Sequence, residues 1–157
     1  MRSLVTCLLL AAVAGGSAPC FAESAKAELK YVSAKDLAAL VAEKAKSPIA
    51  KQVAADPSAT TLMIRRDESG EVEVHAQIND IIVVASGHAT MLVGGQVSGN
   101  HEIAPTEWRG GTITGGERHE LAAGDLLLIP AGVPHQCLVA SGGSVEYLTV
   151  KTPATTH

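Results

Sequence analysis

The stretch Gly124-Asp125-Leu126-Leu127-Leu128-Ile129-Pro130-Ala131-Gly132-Val133-Pro134-His135 constrains this chain more than any other. Its apolar run from Leu126 to Ile129 has the length of a buried strand. Pro130-Ala131-Gly132 has turn chemistry, because proline presets φ and glycine accepts a left-handed backbone. The next strand then opens with His135, whose imidazole is aimed at whatever the strands enclose. A histidine delivered to an interior by a tight turn is well placed to ligate a metal.

The spacing G-x5-P-x-G-x2-H resembles the second conserved motif of the cupin superfamily, with Val139 where an asparagine often closes it. The family's first motif, H-x-H-x4-E-x6-G, has a counterpart of the same spacing in Glu73, His75, Asp80 and Gly87. Here Glu73 replaces the first histidine and the shorter Asp80 replaces the glutamate. The resemblance implies an all-β double-stranded β-helix, the jelly-roll or cupin barrel, and it points to pairing as a homodimer. Because no internal repeat is visible, a single barrel is expected.

The site can also be argued from the residues. Side chains alternate faces along a strand, so Glu73 and His75 point the same way, and Asp80, at the start of the next strand, can face the same cavity. With His135 they offer imidazoles and carboxylates. That mixture suits a divalent first-row metal (Fe, Mn, Ni, Zn or Cu) better than calcium or magnesium, which prefer all-oxygen sites. The alternative is a metal-free cavity in which Glu73 is a solvated strand residue.

Cys137 lies two residues after His135 and should share its face, either as a thiol near the metal or as a small buried hydrophobe. Trp108 and Arg109 arrive together before Gly110-Gly111, and Arg109 is a candidate for holding a substrate carboxylate. Tyr147, on the last expected strand, is a candidate phenol donor for catalysis. Alternation alone does not say whether Tyr147 or its neighbours Glu146 and Leu148 face inward. His88 and His101 read as surface residues.

The 157 residues are 46% hydrophobic but only 3% aromatic, so aliphatic side chains must fill the core of one domain. The formal charge is −4, and nucleic acid is an unfavoured partner. Residues 1–22 read as a secretory signal peptide: Met1-Arg2, an apolar stretch from Leu4 to Ala14, and a small-residue cleavage site at Cys20-Phe21-Ala22. That apolar run is too short to span a bilayer, so no membrane span is expected and a periplasmic or secreted location follows. Export leaves Cys137 without a partner for an intramolecular disulfide.

Residues 23–59 are expected to form an N-terminal segment whose helix, over 33–46, is capped by Ser33 with Asp36 in the manner of a capping box and packs on the barrel. Glu28 to Val32 is expected to be an added edge strand. The barrel itself is expected over 60–153, with a hairpin of 81–85 and 88–93 turning at Gly87 and a loop over 96–105. Glycine-punctuated short strands of this kind argue for a double-sheet jelly roll.

Three functions fit these residues. One is a small metal-dependent enzyme of oxygenase, isomerase or lyase type, acting on an oxygenated small molecule through His75, Asp80, His135 and Glu73, with a carboxylate as base. Another is a non-catalytic periplasmic module that binds or senses a small ligand or metal. The third is a metal-free enzyme with His75 or His135 as general base. Nucleophile-elbow, phosphate-loop and nucleotide fingerprints are absent from the sequence.

Overall fold

The computed structural model describes residues 30–42 and 46–155. The expected leader over 1–22, the start of the expected edge strand and residues 43–45 of the expected helix lie outside them. Among the described residues there are one helix, α1 (Ala34–Val41), and twelve strands. The strands are β1 (Ile49–Asp56), β2 (Ala59–Arg66), β3 (Glu73–His75), β4 (Ile78–Val93), β5 (Gln96–Ser98), β6 (His101–Ala104), β7 (Glu107–Arg109), β8 (Thr112–Thr114), β9 (Glu117–Ala122), β10 (Leu126–Ile129), β11 (His135–Leu138) and β12 (Val145–Pro153). Every pairing between them is antiparallel.

The architecture turns on β4. Its first part, Ile78 to Gly87, pairs with β10 and β12, and its second, His88 to Val93, pairs with β9 and β11. One strand therefore serves both sheets, and the hairpin expected at Gly87 is replaced by a continuous 16-residue strand. A bulge makes this possible. Glu146 pairs with Ser86 but Tyr147 with Val84, which leaves Ala85 as the extra residue.

One extra residue reverses which parity faces inward. Ile82 and Val84 are buried before the bulge, Ala89 and Met91 after it, all in one core. Gly87 sits at this bend with φ +75, where a Cβ would lie 2.1 Å from the Ser144 carbonyl oxygen. A serine or alanine could not replace it without moving that backbone.

The core between the sheets is completed by Ile64, Leu121, Ile129, Cys137, Val145 and Tyr147. Each large aliphatic chain removed from water there contributes about 1.5–3 kcal/mol. On the outer face α1 places Val41 over Ile49 and Met63, with Leu37, Leu40, Val53 and Leu148 around them. Ser33 caps the helix as expected: its hydroxyl accepts from the Asp36 amide at 3.2 Å and donates to the Asp36 carboxylate at 2.7 Å.

Four further expectations need correction. The sheet begins before residue 60, because β1 pairs with β2 along its length as an added edge. Lys30 to Val32 carry no strand, and Tyr31 is 82% exposed. The loop expected over 96–105 contains β5 and β6, which pair with β8 and β7. Finally, β10 is buried on one face only. Ile129 is in the core, whereas Leu126 and Leu128 are exposed at 65% and 56%, because no layer among the described residues covers that side of the sheet there.

Candidate metal centre

β3 and β11 lie side by side, with His135 opposite Glu73 in register. Alternation then puts Glu73 and His75 on the interior side of β3, and His135 and Cys137 on that of β11. The Gly132 turn fixes the approach, since its amide donates to the His75 carbonyl at 2.7 Å and ties the turn after β10 to the end of β3. As a result one ligand atom from each of Glu73, His75 and His135 lies within 4.8 Å of the others. The two imidazole centroids are 5.4 Å apart.

Each ring is oriented through its far nitrogen. His135 Nδ1 lies 3.1 Å from the Val133 carbonyl oxygen, and His75 Nδ1 lies against the Glu107 carboxylate. Both contacts are donor-to-oxygen geometries, so each Nε2 is left facing inward. Glu107 is placed by a tight connection from β6 to β7, in which Thr106 takes φ 68, an unusual value for a β-branched residue. The Thr106 carbonyl accepts from the Ala76 amide at 2.9 Å, which anchors this connection to the end of β3.

Glu73 is shared between the histidines and a pair of arginines. Arg66 Nη2 donates to its Oε1 at 2.9 Å, while Oε2 lies 3.3 Å from Arg109 Nη2 and 3.4 Å from His75 Nε2. Burial alone would raise this carboxyl. Hydrogen bonding with His75 and the charges of Arg109, His135 and Arg66 outweigh burial and lower it to about 2.

Asp80 is 4% exposed and faces the same space, with Oδ2 3.3 Å from His75 Nε2 and 3.6 Å from His135 Nε2. Its nearest partner is Lys151, whose Nζ donates to Oδ1 at 2.7 Å and Oδ2 at 2.9 Å. Despite burial, the histidines and Lys151 hold the Asp80 carboxyl well below the ordinary carboxylate range. For His75, burial and the Lys151 charge oppose protonation, but Asp80 and Glu73 prevail and raise its pKa to about 9.

The other expected site residues also converge here. Tyr147 faces inward at 5% exposure and its hydroxyl accepts from Arg66 Nε at 2.9 Å, whereas Glu146 and Leu148 point out. Burial pushes its phenol well above the ordinary range, so it keeps its proton and its direct contact is with Arg66. Cys137 is buried beside the same interior space and burial raises its thiol to about 11. Arg109 bridges Glu73 and Glu107, its Nη1 lying 3.4 Å from the latter. His88 and His101 are exposed, as expected.

Arg66, Glu107, Lys151 and Thr149 were not anticipated from the sequence. Arg65-Arg66 ends an inward–outward strand, so one of two adjacent arginines must point in, and that is a readable signal. Lys151 shares the parity of Tyr147 along β12. Glu107 had no comparable signal.

Two spaces meet at Glu73. An interior cavity of about 40 Å³ is bounded by Asp80, His135, Cys137, Tyr147, Thr149 and Lys151, among others. An open cleft of about 310 Å³ is lined by Arg66 and Arg109 together with Glu68, Glu71 and Glu73, and by Pro48, Ser69 and Gly70. The Thr149 hydroxyl borders the interior cavity, is buried, and is the side-chain polar atom left without a partner among the described residues. Buried hydroxyls seldom stay unpaired, so this cavity suits a polar occupant such as water or a ligand oxygen. Two inward Nε2 atoms, an adjacent carboxylate and a polar cavity fit a divalent transition metal.

Comparison with known proteins agrees with the topology. A family model described as the AraC-like ligand binding domain matches residues 113–156, which contain the Gly124 to His135 motif. A Klebsiella pneumoniae protein with a double-stranded β-helix domain is 17% identical and superposes with a TM-score of 0.58, over 83% of this chain and 95% of that one. TT1209 from Thermus thermophilus is 18% identical, with a TM-score of 0.58 over 81% of this chain and all (100%) of that one. KdgF from Halomonas sp. is 16% identical, with a TM-score of 0.52 over 72% and 84% of the two chains. No curated protein matches significantly in sequence. The two-sheet path of β4 and these likenesses agree on one fold, a single double-stranded β-helix.

Proposed function

We propose that this protein is a small exported metal-dependent enzyme of isomerase or lyase type, acting on an oxygenated molecule that carries a carboxylate. The observation behind this reading is the approach of Glu73, His75 and His135 to within 4.8 Å of one another, beside a cleft lined by two arginines. A metal on those three groups would supply Lewis-acid polarisation of a bound carbonyl or hydroxyl.

The rest of the work belongs to the chain. The interior cavity is too small for an organic substrate, so a ligand would lie in the cleft, whose lining includes Arg66 and Arg109. Their guanidinium groups are suited to a carboxylate, which they can hold in a fixed orientation. Tyr147 keeps Arg66 in place from the inside. Glu73 marks the boundary: Oε1 stays on Arg66 while Oε2 faces the histidines. The export reading rests on the leader sequence over residues 1–22.

Calorimetry with malonate and 2-oxoglutarate on zinc-loaded protein, wild type beside Arg109→Gln, tests the assignment. Binding by the wild type that weakens about tenfold or more in the variant is expected, the size of a charge-assisted contact. No binding of either carboxylate would sink the substrate class, and metal-free protein after zinc loading would sink the centre.

A further inference from the structure

Every carboxylate around the histidines has a cationic partner. Three carboxylates, Glu73, Asp80 and Glu107, lie against three cations, Arg66, Arg109 and Lys151. The two guanidinium groups sit on the cleft side. Lys151 is placed differently: it reaches inward from β12 and puts Nζ 2.7 and 2.9 Å from the Asp80 oxygens and 3.0 Å from His75 Nε2. A carboxylate and an imidazole nitrogen are the partners a divalent ion would choose.

Two nitrogens 3.0 Å apart form a hydrogen bond only with one proton between them, and whichever nitrogen carries it, the Nε2 lone pair that a metal requires is engaged. Asp80 is engaged as well, through both oxygens, and its atoms fall outside the three-donor group. A divalent ion at that group would lie beside a like charge.

We propose that Lys151 is a tethered competitor for the metal seat: its ammonium fills the space between Asp80 and His75 in the metal-free protein, and an entering ion must displace it from His75 Nε2. This rests on the metal-centre reading and adds to it that Asp80 serves first to neutralise a lysine. The centre then binds its metal less tightly than the same donors would without the lysine.

Calorimetric titration with cobalt(II) chloride and zinc chloride tests this on the full mature chain. The forms compared are wild type, Lys151→Gln, and the double variant Asp80→Asn/Lys151→Met. The single variant keeps a donor for Asp80. The double variant removes both charges, so no buried carboxylate is left unpaired. The expected result is affinity higher by about tenfold or more in either variant, the scale of one charge-assisted hydrogen bond. Measurable binding by wild type with no tighter binding in both variants overturns the competition and leaves the metal centre standing. Binding that emerges only when Lys151 is replaced supports the competition and overturns a resident metal in the wild type. No uptake by any form overturns both.

Discussion

Glu107 closes on His75 from the opposite side to the cavity, and that contact sets which imidazole nitrogen faces the interior. A carboxylate behind a ligating histidine fixes the ring and raises its basicity. Glu107→Ala should therefore lower metal affinity about 10- to 100-fold while the barrel stays folded. Glu107→Gln, which still accepts from Nδ1, should retain more of it. Equal affinity in wild type and Glu107→Ala, measured by competition with a chelator, would show that the ring needs no such support.

Glu73 makes acid the weak side of the metal-free protein. Its carboxyl is lowered from 4.5 to about 2 in the fold, so its contribution to stability is complete above about pH 4.5 and is lost as pH falls towards 2. Denaturant midpoints measured between pH 6 and pH 3 should drop more steeply for wild type than for Glu73→Gln. Parallel curves would mean that His75 and the two arginines do not hold this carboxylate in solution.

The thiol of Cys137 combines burial with a pKa raised to about 11, and both suppress the thiolate. A maleimide followed by mass measurement should leave the native protein unmodified on a timescale that labels the unfolded chain fully. Because Cys137 borders the interior cavity and not the cleft, metal-free protein should label faster than metal-loaded protein. Rapid labelling of both forms would place the thiol outside the barrel.

Gly87 offers a check on the fold. Alanine there meets the Ser144 carbonyl oxygen and takes an unfavourable φ, so Gly87→Ala should destabilise the protein by about 1 kcal/mol or more in denaturant titration. An unchanged midpoint would mean that the bend of β4 is built differently.

The motifs were legible because they combine local turn chemistry with alternation. Gly132 and Pro130 mark the turn before His135, and Glu73 and His75 share a face by spacing alone. Gly87 was legible as a special backbone position but not as a bulge, because a hairpin and a strand that changes sheets both call for a positive φ. The distinction depends on β12, far away in sequence, where Tyr147 skips Ala85 to pair with Val84. Lys151 was missed for a related reason. Until the inward face of Tyr147 is known, the parity of Thr149 and Lys151 is undetermined, and a lysine near a chain end reads as solvated. β6 and β7 carry too little apolar periodicity to separate them from loop, so Glu107 gave no sign of its place behind His75.

The most direct test of the metal centre is the metal content of the mature protein after zinc loading and removal of excess, compared with His75→Ala and His135→Ala. Near one equivalent in wild type, falling close to zero in both folded variants, is the expected result. Full occupancy in both variants would contradict the centre, whatever metal the wild type carries.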